Sequence, residues 1–179
     1  MAAAPDEAQR GQAHLVYVAE SALPLLPLIR AMGRKGRRVR GPTPGQNHKH
    51  AFCGARDAVT GQWVWAAHPR KRAVPFVAFR EHLVAADPTG RLDIALDGAP
   101  APTAQVVQRW AEAHPRLRLL RLPPYAAHDE NPVERVWGRR KDAVTANRRA
   151  GSMDQLIHAA TRFFTEMTTE QPVFLPIAA

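Results

Sequence analysis

The sequence predicts an α/β fold in which helices cover both faces of a mixed sheet. Three observations carry that expectation. Short apolar or alternating runs open the chain as a meander, and later runs alternate with stripes at helical spacing. The chain of 179 residues, with 45% hydrophobic and 23% charged, is large enough for one well-packed core. The 25 basic residues against 16 acidic ones leave a formal charge of +9, which favours a polyanionic partner and nucleic acid first.

The elements follow in order. Residues 1–12 are alanine-rich without an apolar stripe and read as a disordered leader. His14–Ser21 is a β-branched apolar run and reads as a strand. Leu23–Met32 is apolar but interrupted by Pro24 and Pro27, so it is irregular or briefly helical. Arg34, Lys35, Arg37, Arg38 and Arg40 then make a basic run that ends in the loop residues Gly41–Gly45. Ala51–Val59 and Gln62–Ala67 form a hairpin around Thr60-Gly61, with Trp63 and Trp65 at alternate positions. Pro75–Ala86 is helical, since Phe76, Phe79, Leu83 and Ala86 share a face.

Arg91–Asp97 is a strand closed by a carboxylate and Gly98. Thr103 caps a helix with Val106, Val107, Trp110 and Ala111 on its apolar face. Leu117–Leu122 is the next strand. Asn131 caps a helix that has Pro132 at its first position and Val133, Val136, Trp137 and Val144 on its buried stripe. Ser152–Gln155 is a capping box that opens a last amphipathic helix. The division is a leader at 1–12, one domain at 13–170 and a tail at 171–179.

Cys53 is the only cysteine, which excludes an internal disulfide and a cysteine-based structural zinc site. A buried structural thiol is the expectation for it. No run reaches 18 apolar residues and the N-terminus lacks the apolar core of a signal peptide, so no membrane partner and a cytoplasmic location are expected. His48 and His50 lack further ligands for a metal, and the four tryptophans read as core.

Two carboxylates sit where α/β sites collect, at and beyond the carboxyl ends of strands. Asp97 closes a strand, and Glu134 lies in the first turn of the helix after the next one. Together they offer hard oxygen ligands for Mg²⁺. The alternatives are a strand-ending turn residue for Asp97 and the reciprocal partner of a capping box for Glu134.

The run Pro123–Trp137, with its core Asn131-Pro132-Val133-Glu134-Arg135-Val136-Trp137, resembles the signature of DDE-type insertion-sequence transposases of the bacterial branch related to mariner elements. Leu96-Asp97-Gly98-Ala99 is similar to that family's second motif, and Asp142–Arg148 and Gly151-Ser152 also resemble it. The resemblance runs from about His14 to Met167. It implies a ribonuclease H-like fold and an Asp–Asp–Glu triad holding two Mg²⁺ or Mn²⁺ ions. It further implies metal-dependent cleavage and strand transfer on double-stranded DNA, at element ends and target, by a homodimer, and with it nucleoid association. Asp97 would be the second Asp and Glu134 the Glu, both catalytic and both metal ligands.

The departure from the family lies in its first motif. Val18-Ala19-Glu20 stands where the family has Val-Asp-Glu, so the first catalytic Asp is replaced by Ala19 and activity is expected to be impaired. Glu20 points to the opposite strand face, Asp93 lies about 13 Å along the strand from position 97, and Asp129 and Glu130 lie in the loop before Glu134. Gly33 and Pro102 are further departures. The family's N-terminal helix-turn-helix domain is expected to be absent. Arg34, Lys35, Arg37, Arg38, Arg40, Arg135, Arg139, Arg140 and Lys141 are the expected DNA contacts. The alternative function is a non-enzymatic basic DNA-binding remnant of the same fold.

Overall fold

The computed structural model describes residues 3–26, 28, 35–36, 47–69, 78–79, 81, 83–85, 90–96, 101–122, 131–167 and 173–174, with the side chains of 3, 101–104 and 173–174 outside that description. Six strands are described: β1 (His14–Pro24), β2 (Lys49–Asp57), β3 (Trp63–His68), β4 (Leu92–Leu96), β5 (Leu117–Arg121) and β6 (Val173–Phe174). They form one sheet in the order β5-β4-β1-β2-β3-β6. Pairing is antiparallel across β1, β2 and β3, and parallel for β1–β4, β4–β5 and β3–β6. The helices are α1 (Ala3–Gln9), α2 (Ala101–Glu112), α3 (Pro132–Arg140) and α4 (Met153–Met167). The expected mixed α/β sheet, ribonuclease H-like with helices on both faces, is what forms.

Strand alternation divides the core. Ala19, Leu23, Phe52, Trp63 and Trp65 project toward α3 and α4, where they meet Val133, Val136, Trp137, Leu156 and Phe164. Val18, Cys53, Ala55, Ala66, Leu92, Ile94 and Leu96 project to the other face, against Phe79, Leu83 and Val107 and Trp110 of α2. The parallel strands alternate little in burial, with all five β4 residues buried, as expected for strands covered on both sides.

The hairpin turns where the sequence places it. Asp57 Oδ1 accepts the Val59 and Thr60 N–H groups at 2.8 and 2.6 Å, and Gly61 supplies the positive φ of +72°. Asn131 caps α3 by accepting the Val133 N–H at 3.0 Å, with Pro132 in the first turn. At α4, Ser152 Oγ accepts the Gln155 N–H at 3.2 Å, while the Gln155 side chain reaches back to the Gly151 N–H at 2.9 Å.

Four expectations are corrected. The leader is not disordered, because Ala3–Gln9 is helical, with Ala4 and Ala8 packed on Leu15 and Ala95. Small residues every fourth position let that short helix lie flat on the sheet, a stripe too weak to read from the sequence. Thr103 is not a cap, since α2 starts at Ala101. The tail contributes β6, a parallel edge strand beside Val64 and Trp65. The first strand continues past Ser21 to Pro24, where β2 pairs with it to the end.

Candidate active site

β1 and β4 run parallel in the centre of the sheet, and their pairing ends at Val18 opposite Leu96. The next residues are Ala19 and Asp97. Ala19 is 5% exposed, faces α3 and α4, and offers only a methyl group. Asp97 lies outside the described residues, as do Asp129, Glu130, Arg34, Arg37, Arg38 and Arg40. Opposite Ala19 on β2 is Gly54, and a Cβ there would come within 2.1 Å of Trp63 and 2.9 Å of Trp137. The two indoles meet edge-on over that glycine, with centroids 5.4 Å apart.

Glu134 sits in the first turn of α3, one residue past buried Val133, and is partly exposed. Its own N–H donates to Asn131 O at 3.0 Å. The cap uses the Asn131 side chain and leaves the Glu134 carboxylate out, so the reciprocal capping-box role is not taken up. The helix dipole favours a carboxylate at this end.

Neighbouring carboxylates are committed elsewhere. The Glu20 carboxylate lies on the opposite sheet face, 2.9 Å from His68 Nε2. Asp93 is fully buried, with Arg118 Nε at 3.0 Å and Arg91 Nε at 3.2 Å, and Glu7 of α1 joins both arginines. The Arg118 hydrogen bond in particular, with help from Arg91, holds the Glu7 carboxyl below its usual range, and Asp93 with Glu7 pushes the Arg118 guanidinium up.

The basic residues divide by the period of the helix. Arg135, Arg139 and Lys141 are exposed, as are Lys35, Arg148 and Arg149. Arg140 is fully buried, and its place among DNA contacts is corrected. Its guanidinium lies 5.8 Å from the Phe52 ring centroid and 5.7 Å from that of Trp137, and it donates to Ser21 Oγ at 3.0 Å and Ala22 O at 3.1 Å. Burial brings its pKa down to about 10. Beyond it the chain makes a π-helical turn, Lys141–Thr145, and Asn147 takes a φ of +54° that allows its N–H to reach Leu28 O at 2.8 Å.

Sequence reasoning missed one grouping. Cys53, expected to be an isolated buried thiol, has His68 Nε2 at 3.8 Å. The two residues stand 15 apart in the chain and meet only through the β2–β3 register, so no local spacing announces them.

Residues 25–157 match a family model described as a DDE superfamily endonuclease. An insertion element IS630 uncharacterized 39 kDa protein of Shigella sonnei is 28% identical over 130 residues, which cover 72% of this chain and 38% of that protein. The fold is similar to that of a Mos1 transposase paired-end complex with left transposon end, at a TM-score of 0.64 and 16% identity, covering 93% of this chain and 52% of the other. It is also similar to the HTLV-2 integrase catalytic core domain in complex with magnesium, at a TM-score of 0.50 and 12% identity, covering 87% and 88%. The chain thus spans 38% of the curated relative and about half of the Mos1 chain. No helix among the described residues is long and apolar enough to cross a membrane. The family match spans most of the central sheet together with the helix that bears Glu134, and this chain belongs to the DDE superfamily endonucleases.

Proposed function

We propose that this chain is a transposase catalytic domain for DNA transposition whose metal-dependent strand cleavage and strand transfer are impaired in this copy. The observation that carries the reading is Ala19 at the end of the β1–β4 pairing. Related complexes named for Mos1 were solved with Mn and with Mg. The described residues of this chain do not fit a pair of such ions. Asp97 and Glu134 remain as catalytic and metal-binding carboxylates, position 19 has no ligand atom, and both Glu20 and Asp93 are engaged by other partners. A pair of ions calls for a carboxylate shared between them, and among the described residues none stands at the end of β1 to serve.

Double-stranded DNA is the partner this reading calls for, in a homodimer that holds two element ends. The exposed cations Lys35, Arg135, Arg139 and Lys141 support it, together with the basic run Arg34, Arg37, Arg38 and Arg40. The second reading, a non-enzymatic DNA-binding remnant of the same fold, is favoured by those same cations. It predicts affinity that falls steeply with salt and is indifferent to Mg²⁺.

The test is a nicking assay on element-end DNA with Mg²⁺ or Mn²⁺. The unmodified chain should be silent and Ala19→Asp should nick. Robust nicking by the unmodified chain that disappears in Asp97→Asn would overturn the proposal. Salt-dependent binding without nicking in either form selects the second reading.

A further inference from the structure

Three ligand-bearing side chains converge on the sheet face opposite Ala19. Glu20 of β1 pairs with Cys53 of β2, and His68 of β3 pairs with Ala51 two residues before it. Glu20 Oε1 lies 2.9 Å and Cys53 Sγ 3.8 Å from the same atom, His68 Nε2. Each residue offers one ligand atom, and these atoms all lie within 4.8 Å of one another. Cys53 and His68 are buried while Glu20 keeps 19% exposure, so the group is open to water on one side. The carboxylate and the thiol thus approach one ring nitrogen from two sides.

The convergence of three ligand atoms of three different kinds is the geometry of a metal site. We propose that Glu20, Cys53 and His68 bind one zinc-class divalent cation, at a site separate from Asp97 and Glu134. The donor set decides the class, because one thiolate, one imidazole and one carboxylate suit Zn²⁺ and not Mg²⁺. Ligands at zinc bond lengths in a tetrahedron stand roughly 3.3–3.7 Å apart. The sulfur–nitrogen separation of 3.8 Å must close by about a tenth of an ångström, and the Glu20 carboxylate, at 2.9 Å, must withdraw by a few tenths. The fourth position is left to water, as in zinc sites with three protein ligands. The single cysteine, which excludes a zinc site built on several thiols, does not exclude this one. The ligands come from three adjacent strands, so the bound ion ties β1, β2 and β3 together and adds to stability by mass action.

Titration of the purified chain with Co²⁺, followed by Zn²⁺, tests the site. One Co²⁺ per chain should bind with a thiolate-to-metal charge-transfer band and tetrahedral d–d absorption, and one Zn²⁺ should displace it and raise Tm. Cys53→Ser should remove the charge-transfer band, with Cys53→Ala as the substitute if the serine variant does not fold. Glu20→Gln and His68→Ala should each weaken Co²⁺ binding roughly tenfold or more. Glu134→Gln should leave the spectrum unchanged, which separates this site from the family's carboxylates. Near-UV circular dichroism of Trp63 and Trp65 reports whether each variant folds. Absence of the charge-transfer band at saturating Co²⁺, unchanged affinity in Glu20→Gln, or loss of the spectrum in Glu134→Gln would each overturn the proposal.

Discussion

Ala19 and Glu20 are successive residues of β1, yet their surroundings share nothing. On the Ala19 side the sheet meets α3 and α4 through packed rings: Phe164 lies 5.0 Å from Trp65, 5.7 Å from Trp137 and 5.8 Å from Trp63, centroid to centroid. The charge buried there is Arg140, stacked on rings and bonded to β1. On the Glu20 side a carboxylate, a thiol and an imidazole gather on one nitrogen. The difference teaches why the Glu20 carboxylate, next in sequence, cannot serve the face on which Ala19 lies. A one-residue shift along a strand exchanges an aromatic face for a polar one.

The contrast can be broken most forcefully at Arg140. Arg140→Ala should cost about 3–5 kcal/mol by urea denaturation, since it empties a fully buried site and strips Ser21 Oγ and Ala22 O of their donor. Arg140→Met should be far milder, neutral or even stabilising by about 1–3 kcal/mol, because the guanidinium Nε and Nη1 have no partner among the described residues and burial already disfavours the charge. A folded-state pKa of about 10, below the ordinary arginine value, means both states are protonated at neutral pH. The stability difference between the unmodified chain and Arg140→Met should therefore be flat across neutral pH, and should shift in favour of the unmodified chain only as pH climbs through 10. Equal destabilisation by Ala and Met would show that the charge, and not the volume, matters on this face.

Gly54→Ala comes next. A methyl 2.1 Å from Trp63 must displace an indole wedged against Trp137, so a loss of about 3 kcal/mol and altered tryptophan fluorescence are expected. Unchanged fluorescence would mean the aromatic face is looser than its contacts indicate.

Asn131→Ala should cost about 1–2 kcal/mol, because it removes the cap of the helix that presents Glu134. Hydrogen exchange at Val133 should quicken with it.

The smallest effect is expected at Glu7. Its carboxyl is held below its usual range by the hydrogen bond from Arg118, with Arg91 assisting. A lowered folded-state pKa gives stability that is present above the unfolded value and lost as pH falls through the folded one. Glu7→Gln should therefore lower Tm at neutral pH, and the two chains should converge as pH falls past the ordinary glutamate value and through the lowered folded-state one. Tm curves that stay parallel through acid unfolding would mean α1 does not depend on the charge.

The mixed sheet, the hairpin at Thr60-Gly61, the Asn131-Pro132 cap and the Ser152 cap were legible in sequence. Each is set by local periodicity or by a side chain bonding backbone within a turn. Ala19 is visible in the sequence as well, and the impairment proposed from it rests on residue identity alone. Tertiary structure alone decided that Arg140 lies inside while its neighbours Arg139 and Lys141 lie outside, since helix phase against the sheet sorts a run of like charges. It also decided that α1 packs on β1 through two alanines and a carboxylate paired 84 and 111 residues away. The meeting of Glu20 with His68, 48 residues apart, depends on strand register, which no short window of sequence contains.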